Sequence, residues 1–320
     1  MARTKKTTTT DTATPEINEP MTGTRLAEST VLLDLKTYSL GNERKIKPAE
    51  ITDKEDIDLS LLKTGKKLLV CEEYEAAAKY NCRVKEAIHA RSLPSMFKAG
   101  VHLVKLDAVP VIEEQLEKAK AKQKELVEAF IAVLPQAIED AREGLGPLFN
   151  EADYPTPERV RSAFRIEHRW FAIETPERLN GISADIFKQE QEKAQVALED
   201  AVADLTMLLR KEFGDMVSHL ASRLKPDTDG KKKTFRASTL ENIKEFTELF
   251  SLRNVTDDKQ LAELVEKAKA LLEGTEVKAI RDDDTFRKQL AEDFTEINIE
   301  IDALPTVQVS RKITFDDDEV

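Results

Sequence analysis

Four histidines, His89, His102, His168 and His219, and two cysteines, Cys71 and Cys82, are the side chains of this chain best suited to metal binding, nucleophilic attack or proton transfer. Their spacing supplies none of the patterns such chemistry uses. Metal sites built on one helix or ribbon need ligands two to four positions apart, and no His-x-x-His, His-Glu-x-x-His or Cys-x-x-Cys run occurs. Neither a Gly-x-Ser-x-Gly elbow nor a dinucleotide fingerprint is present. Gly65-Lys66-Lys67 has a phosphate-loop pair without the preceding glycine spacing or the following hydroxyl. Asp227, Asp229 and Gly230 begin like a calcium loop, but lysines and Thr234 fill the later ligand positions. Glu113 and Glu117 are helical neighbours on a highly charged stretch and read as surface charges. The expectation is therefore a non-enzymatic protein with no catalytic, cofactor-binding or metal-binding residue.

Residues suited to contact are easier to find. Phe164, Ile166, His168 and Trp170 alternate with Arg165, Glu167, Arg169 and Phe171, the pattern of a strand with two unlike faces, with a helix continued from Pro157 as the alternative. Arg165, Arg169, Trp170 and Phe171 are candidate interaction residues, although an edge strand packing its rings on helices is the preferred reading. The second candidate group is Lys231, Lys232, Lys233 and Arg236, which with Arg223 and Lys225 form the densest basic cluster in the sequence. Such a cluster is either a solvated loop or a dock for an acidic partner surface or a polyanion.

Two long helices must position these groups. From Val111 to Leu148, Ile112, Leu116, Ala119, Gln123, Leu126, Phe130, Val133 and Ala137 alternate in steps of four and three, with charge on the other faces. Pro110 suits the first turn, and Pro135 predicts a kink with the seam resuming at Ile138, Ala141, Leu145 and Leu148. Ser183 to Leu224 repeats the pattern through Ala194, Leu198, Ala201, Leu205 and Leu208, then Phe213, Val217, Leu220 and Leu224. Pairing these two helices antiparallel covers both stripes.

The remaining expectations are local. A hairpin runs from Val31 through the Gly41-Asn42 turn to Arg44–Lys47. Glu72 to Ser92 is helical, with Tyr74, Ala78, Cys82 and Ile88 on one side, and Ser95 to Leu106 forms a short strand or hairpin. Cys71 and Cys82 share that helix as buried thiols about 16 Å apart, too far to bridge. Thr156 caps a turn at Pro157, Ser238 with Glu241 opens one C-terminal helix, Thr256 opens the next, and a third runs from Asp284. This gives a mostly α fold with an elongated, coiled-coil-like long-helix pair, a small β-hairpin element and a C-terminal helical subdomain. The divisions are a disordered Thr-rich arm at 1–28, a β-hairpin region at 29–70, a long-helix stalk at 71–225, the helical subdomain at 226–304 and an acidic tail at 305–320.

Composition agrees. Of 320 residues, 40% are hydrophobic, 34% charged and only 6% aromatic, a balance that favours charge-laced helices. A net charge of -12 disfavours nucleic acid and anionic membranes as partners of the surface as a whole. The lack of a long apolar run and the few cysteines point to a cytoplasmic protein.

A set of segments resembles a known family. Leu33-Asp34-Leu35 with Arg44-Lys45-Ile46, Arg91-Ser92 to Phe97, Asp153-Tyr154-Pro155, Phe164-Arg165-Ile166, Thr234-Phe235-Arg236, and Arg253-Asn254-Val255 with Asp257-Asp258 carry the likeness. The chain from Val31 to about Phe315 thus resembles an uncharacterised helical family of bacteria and large phages, often encoded beside MoxR-type AAA+ ATPases and von Willebrand factor A proteins. The resemblance implies an adaptor or client of such an ATPase. The alternatives are a self-assembling filament or ring protein, and a single-stranded nucleic-acid binder using Arg165, Arg169, Trp170 and the lysine turn.

Overall fold

The computed structural model describes residues 21–46, 65–174, 177–227 and 230–305. The arm up to residue 20, the polar stretch Ile51 to Ser60 and the acidic tail from Thr306 lie outside the described residues. In chain order the elements are α1 (Gly23–Ser29), β1 (Thr30–Tyr38), β2 (Glu43–Lys45), β3 (Gly65–Lys67), α2 (Glu72–His89), β4 (Leu93–Pro94), β5 (Val101–Lys105), α3 (Val109–Leu145), α4 (Pro157–Ala163), β6 (Arg165–Phe171), α5 (Ala184–Leu224), α6 (Ala237–Arg253), α7 (Lys259–Leu272), α8 (Val277–Asp282) and α9 (Asp284–Asp302). The fold is mostly α with a small antiparallel sheet. Both long helices form, and Ser183 caps α5 by accepting from the Ile186 amide. Residues 21–28, assigned to the arm, are not an unstructured lead-in: Thr22 caps α1, which buries Leu26.

The antiparallel helix pairing is real, but the partners differ from expectation. The α3 stripe is covered by α2, with Tyr74 against Phe130 and Asn81 against Gln123. The α5 stripe is covered by α9, with Arg287 at Leu224 and Ile301 at Gly214. A stripe fixes what must be buried and leaves the covering element open; α2, the helix that precedes α3 in the chain, takes it through a short β connection. Within α3 the buried residues are Ile112, Leu116, Ala119, Gln123, Val127, Phe130, Leu134 and Ala137, so Val127 and Leu134 replace the expected Leu126 and Val133. On α2 the inward side carries Ala77, Asn81, Val84 and Ile88. Cys82 is exposed, and Cys71 is the N-cap residue, so the two thiols are not buried together on one helix.

The expected β1 hairpin does not form. β1 is an inner strand of a four-stranded antiparallel sheet, order β4-β5-β1-β6, while β2 pairs with β3. Asn42 explains the switch, because its side chain clamps both main-chain groups of Leu69 and so draws the 65–69 segment to β2. Lys66 donates to Leu148 O at 2.6 Å and pairs with Asp153 at 2.7 Å, a structural use of the Gly-Lys pair. One sheet face packs Leu33, Leu35, Val104 and Ile166 on α2 and α3. From the other face and its edge, Leu103 and Leu93 join the C-terminal core of α5, α6, α7 and α9. A third cluster, around Phe130, Phe164, Leu68 and Val160, closes the far end of α3.

The C-terminal caps also shift. α6 begins at Ala237 with Arg236 as its N-cap and no side-chain capping bond, so Ser238 lies inside the first turn. Asp258, not Thr256, caps α7: it accepts from Leu261 and is tied to Arg210 at 2.6 Å. Thr156 does cap α4.

Candidate functional site

β6 is an edge strand with two different faces. On the face toward α3, Ile166 is buried and Trp170 packs on the same core. Glu113 of α3 accepts from His168 Nε2 at 2.9 Å and from Trp170 Nε1 at 2.5 Å, so it is a structural acceptor and not a surface charge. The Trp170 bond is the main reason the Glu113 carboxyl titrates below the usual range; partial burial opposes it and His168 adds to it. On the opposite face Arg165 lies over the Tyr38 ring at 4.5 Å and pairs with Glu167 at 3.0 Å. Arg169 is exposed and opposite Asp34 across the ladder, and Phe171 is exposed at the strand end. Trp170 is committed to Glu113 and Arg165 to Tyr38 and Glu167, so this strand offers few free groups to a ligand.

A pair of histidines comes together that spacing along the sequence did not suggest. His89 at the end of α2 stacks on His102 of β5 with ring centroids 3.7 Å apart, and Ser92 Oγ lies 2.9 Å from His102 Nδ1. Burial, with His89 beside it, pulls the His102 pKa down to about 4. Burial and Lys85 lower His89 as well. Two neutral stacked rings at a helix end are a packing device. Among the described residues, no group of three or more His, Cys, Asp or Glu is arranged to hold a metal ion, and no helix is long and apolar enough to cross a membrane.

The other sequence-predicted residues gather elsewhere. Lys231, Lys232, Lys233 and Arg236 lie at the end of the C-terminal helices, against α5 and α9, and not beside β6. Two arginines hold this segment in place. Arg287 of α9, 6% exposed, donates to Leu224 O, Arg223 O and Lys233 O, each at 2.8 Å. Arg281 of α8 donates twice to Phe235 O, at 3.2 and 2.8 Å. Main-chain carbonyls at the C-terminal end of α5 are suitable partners for a cation, because the helix dipole is negative there. The consequence is electrostatic: these guanidinium groups satisfy carbonyls and leave their positive charge unneutralised.

Lys232 pairs with Asp284, and Lys233 donates to Ser222 O at 3.1 Å. Among the described residues, Arg223, Lys225, Lys231 and Arg236 have no carboxylate within ion-pair distance, whereas many surface lysines of α3 and α5 pair with a glutamate of the same helix. Between α5 and α6 at this end is a cavity of about 190 Å³ lined by Met216, His219, Arg223, Thr234, Arg236, Ser238, Thr239, Asn242 and Ile243. Phe213 stacked on Phe246 at 5.3 Å and the two-bond pair of Arg253 with Glu212 hold the helices together further along. The sequence marked Arg223 and Arg236 as members of a basic cluster. His219, Thr234, Ser238, Thr239 and Asn242 were not marked; the one legible signal was the i,i+4 spacing of His219 and Arg223. Comparison with protein-family models, with curated proteins and with solved structures returned no match.

Proposed function

We propose that this chain works through protein contacts, with the basic end of its C-terminal helices docking an acidic partner surface, as an adaptor or client of a MoxR-type AAA+ ATPase. The observation that carries the docking surface is the set Arg223, Lys225, Lys231 and Arg236, which has no carboxylate within ion-pair distance among the described residues, on a chain whose net charge is -12. On such a chain a cationic end attracts an acidic partner while the rest of the acidic surface repels it, which sets both encounter rate and register. The family resemblance makes the ATPase the first partner to try. The test is binding of a purified MoxR-type ATPase to the full chain and to the double variant Lys225→Glu, Lys231→Glu, two cations of that set. Roughly tenfold or greater weakening, together with a steep fall of wild-type binding as salt rises, is expected. Absence of binding, or binding that ignores the charge reversal, overturns the reading.

Self-association is supported by a different observation. The first buried residue of α5 is Leu198, and Ile182, Ile186 and Val196 before it are exposed apolar groups. An apolar surface at the start of a long helix is a natural contact for a second copy. Light scattering across a hundredfold concentration range, on wild type and on Ile182→Ser with Ile186→Ser, separates the two readings. A mass that rises only for wild type supports assembly, and a constant mass removes it.

A further inference from the structure

We infer that the cavity between α5 and α6 is a binding site for a phosphate-class dianion, held by Arg223 and Arg236 with hydroxyl donors from Thr234, Ser238 and Thr239. Three features of the lining point there. It contains two guanidinium groups and no carboxylate, on a chain where acidic residues outnumber basic ones by 61 to 49. By contrast, a neighbouring groove of about 450 Å³ carries both signs, with Asp284 and Glu292 beside Lys225, Lys232 and Lys288. Neither Arg223 nor Arg236 has a carboxylate partner among the described residues, and the single side-chain bond of Arg223 runs from Nε to His219 Nε2 at 3.3 Å. That bond makes His219 Nε2 the acceptor and leaves the terminal guanidinium nitrogens of Arg223 available. A planar fork of donors suits an oxyanion better than an ammonium does.

The number of donors selects among anions. A carboxylate has two oxygens and is satisfied by one arginine. Two arginines and three hydroxyls, with the Asn242 amide on the same lining, match the three or four oxygens of a phosphoryl group. The loop that supplies Thr234 is already fixed, because Arg287 grips the carbonyl before it and Arg281 the carbonyl after it. Arg223 is fixed in the same way at its own carbonyl. The backbone that carries Arg223 and Thr234 is therefore fixed before the ligand arrives, which removes part of the ordering cost of binding. Its apolar floor, Met216 and Ile243, has room for the ester carbon of a phosphomonoester.

The site deepens the reading of the basic end as a dock but is separable from it. Isothermal titration of the full chain with inorganic phosphate, against chloride at equal ionic strength, is the direct test. Saturable phosphate binding is expected, weakened roughly tenfold or more in Arg223→Gln and in Arg236→Gln, and changed by no more than about twofold in Lys231→Gln, which lies outside the cavity. Arg236→Lys should recover only part of the loss, since charge returns without the fork. Thr234→Val leaves charge and shape in place and should weaken binding several-fold. The circular dichroism of each variant should match wild type. Titrations with a phosphoserine peptide and with a mononucleotide distinguish the two sources of a phosphomonoester; tighter binding of either than of phosphate identifies the source. No saturable phosphate binding overturns the inference, and so does an equal loss in Lys231→Gln and Arg223→Gln, which is the mark of a diffuse field. ATPase binding with phosphate binding absent removes this site alone, whereas phosphate binding without any protein partner removes the adaptor reading alone.

Discussion

Asn81 and Gln123 meet in the otherwise apolar seam of α2 and α3, and their removal gives a quantitative test of how that seam is held. Asn81 is 2% exposed and Gln123 4%. Gln123 Nε2 donates to Asn81 Oδ1, and Asn81 Nδ2 donates to Tyr38 O at 2.8 Å and to Ser39 Oγ at 2.7 Å, so one amide joins α2, α3 and the end of β1. Asn81→Ala removes three bonds and leaves the Gln123 amide buried without its acceptor, a penalty of ~1–3 kcal/mol, while the better helix propensity of alanine returns ~0.6 kcal/mol. Tyr38 and Ser39 are near the surface and recover water. The net expectation is a loss of about 0.5–2.5 kcal/mol. Gln123→Ala strands Asn81 Oδ1 and leaves a small cavity, for a loss of about 2–3 kcal/mol. The stranded-partner penalty is counted in both single variants and is absent from the double, so the double should cost about 1–2 kcal/mol less than the sum. Replacing both with leucine should bring stability to within about 1 kcal/mol of wild type, since two apolar groups desolvate no amide. Urea unfolding followed by far-ultraviolet circular dichroism reads each value. Single losses below about 0.5 kcal/mol, or single losses that add to the double, would refute the claim that the pair is buried and coupled.

Two further outcomes follow from particular contacts. The His102 pKa is about 4 in the folded chain against 6.5 for a free histidine, so on acidification the unfolded chain takes up the proton first. Stability is then complete above pH 6.5 and declines as pH falls from 6.5 toward 4, with His89 acting in the same direction. The full shift corresponds to ~3 kcal/mol, and screening at this half-exposed pair reduces the expected loss to ~1–2 kcal/mol. Urea midpoints measured across that window should fall for wild type and stay flatter for His102→Gln; equal slopes would contradict the assignment. Gly23→Ala should destabilise by ~1–3 kcal/mol although alanine is the better helix former, because its Cβ would meet Leu198 Cβ at 2.7 Å and the Glu199 amide nitrogen at 3.0 Å. An unchanged or raised melting temperature would show that α1 does not dock on α5 at that distance.

What could be read from the sequence was local and periodic. Ser183 and Leu224 bracket α5, and Pro110 lies in the first turn of α3, because caps, proline and the 3.6-residue period act over a few neighbouring residues. The seam was misplaced by one position at Leu126 and Val133, where strict steps of four and three drift around an α-helix by about 20° per heptad. Asn81 was missed because a polar residue in an amphipathic pattern reads as solvent-facing, and Cys82 took its place. β1 was given the wrong partner because Asn42 reads as a turn residue, whereas its amide serves to hold Leu69. In each case the missing information was the identity of the neighbour, which no residue spacing encodes.

The basic end shows the same division between what a chain carries and what folding does with it. Counting lysines and arginines located the cluster around residue 231, but a count treats all cations as equivalent. Folding divides them into three groups. Arg287 and Arg281 turn inward and use their donors on the carbonyls of Arg223, Leu224, Lys233 and Phe235. Lys232 is neutralised by Asp284. Arg223, Lys225, Lys231 and Arg236 remain without a carboxylate partner among the described residues, and of these Arg223 and Arg236, 13 residues apart, line one cavity together with hydroxyl residues of α6. A surface ion pair is worth little, so those two arginines would contribute almost nothing to stability if they were paired. Left unpaired over a carboxylate-free lining they cost a little through mutual repulsion, and that cost is recovered only when an anion enters. The charges of this end therefore divide in role: Arg281 and Arg287 hold the segment to the helices, and Arg223 and Arg236 make sense as preparation for a ligand.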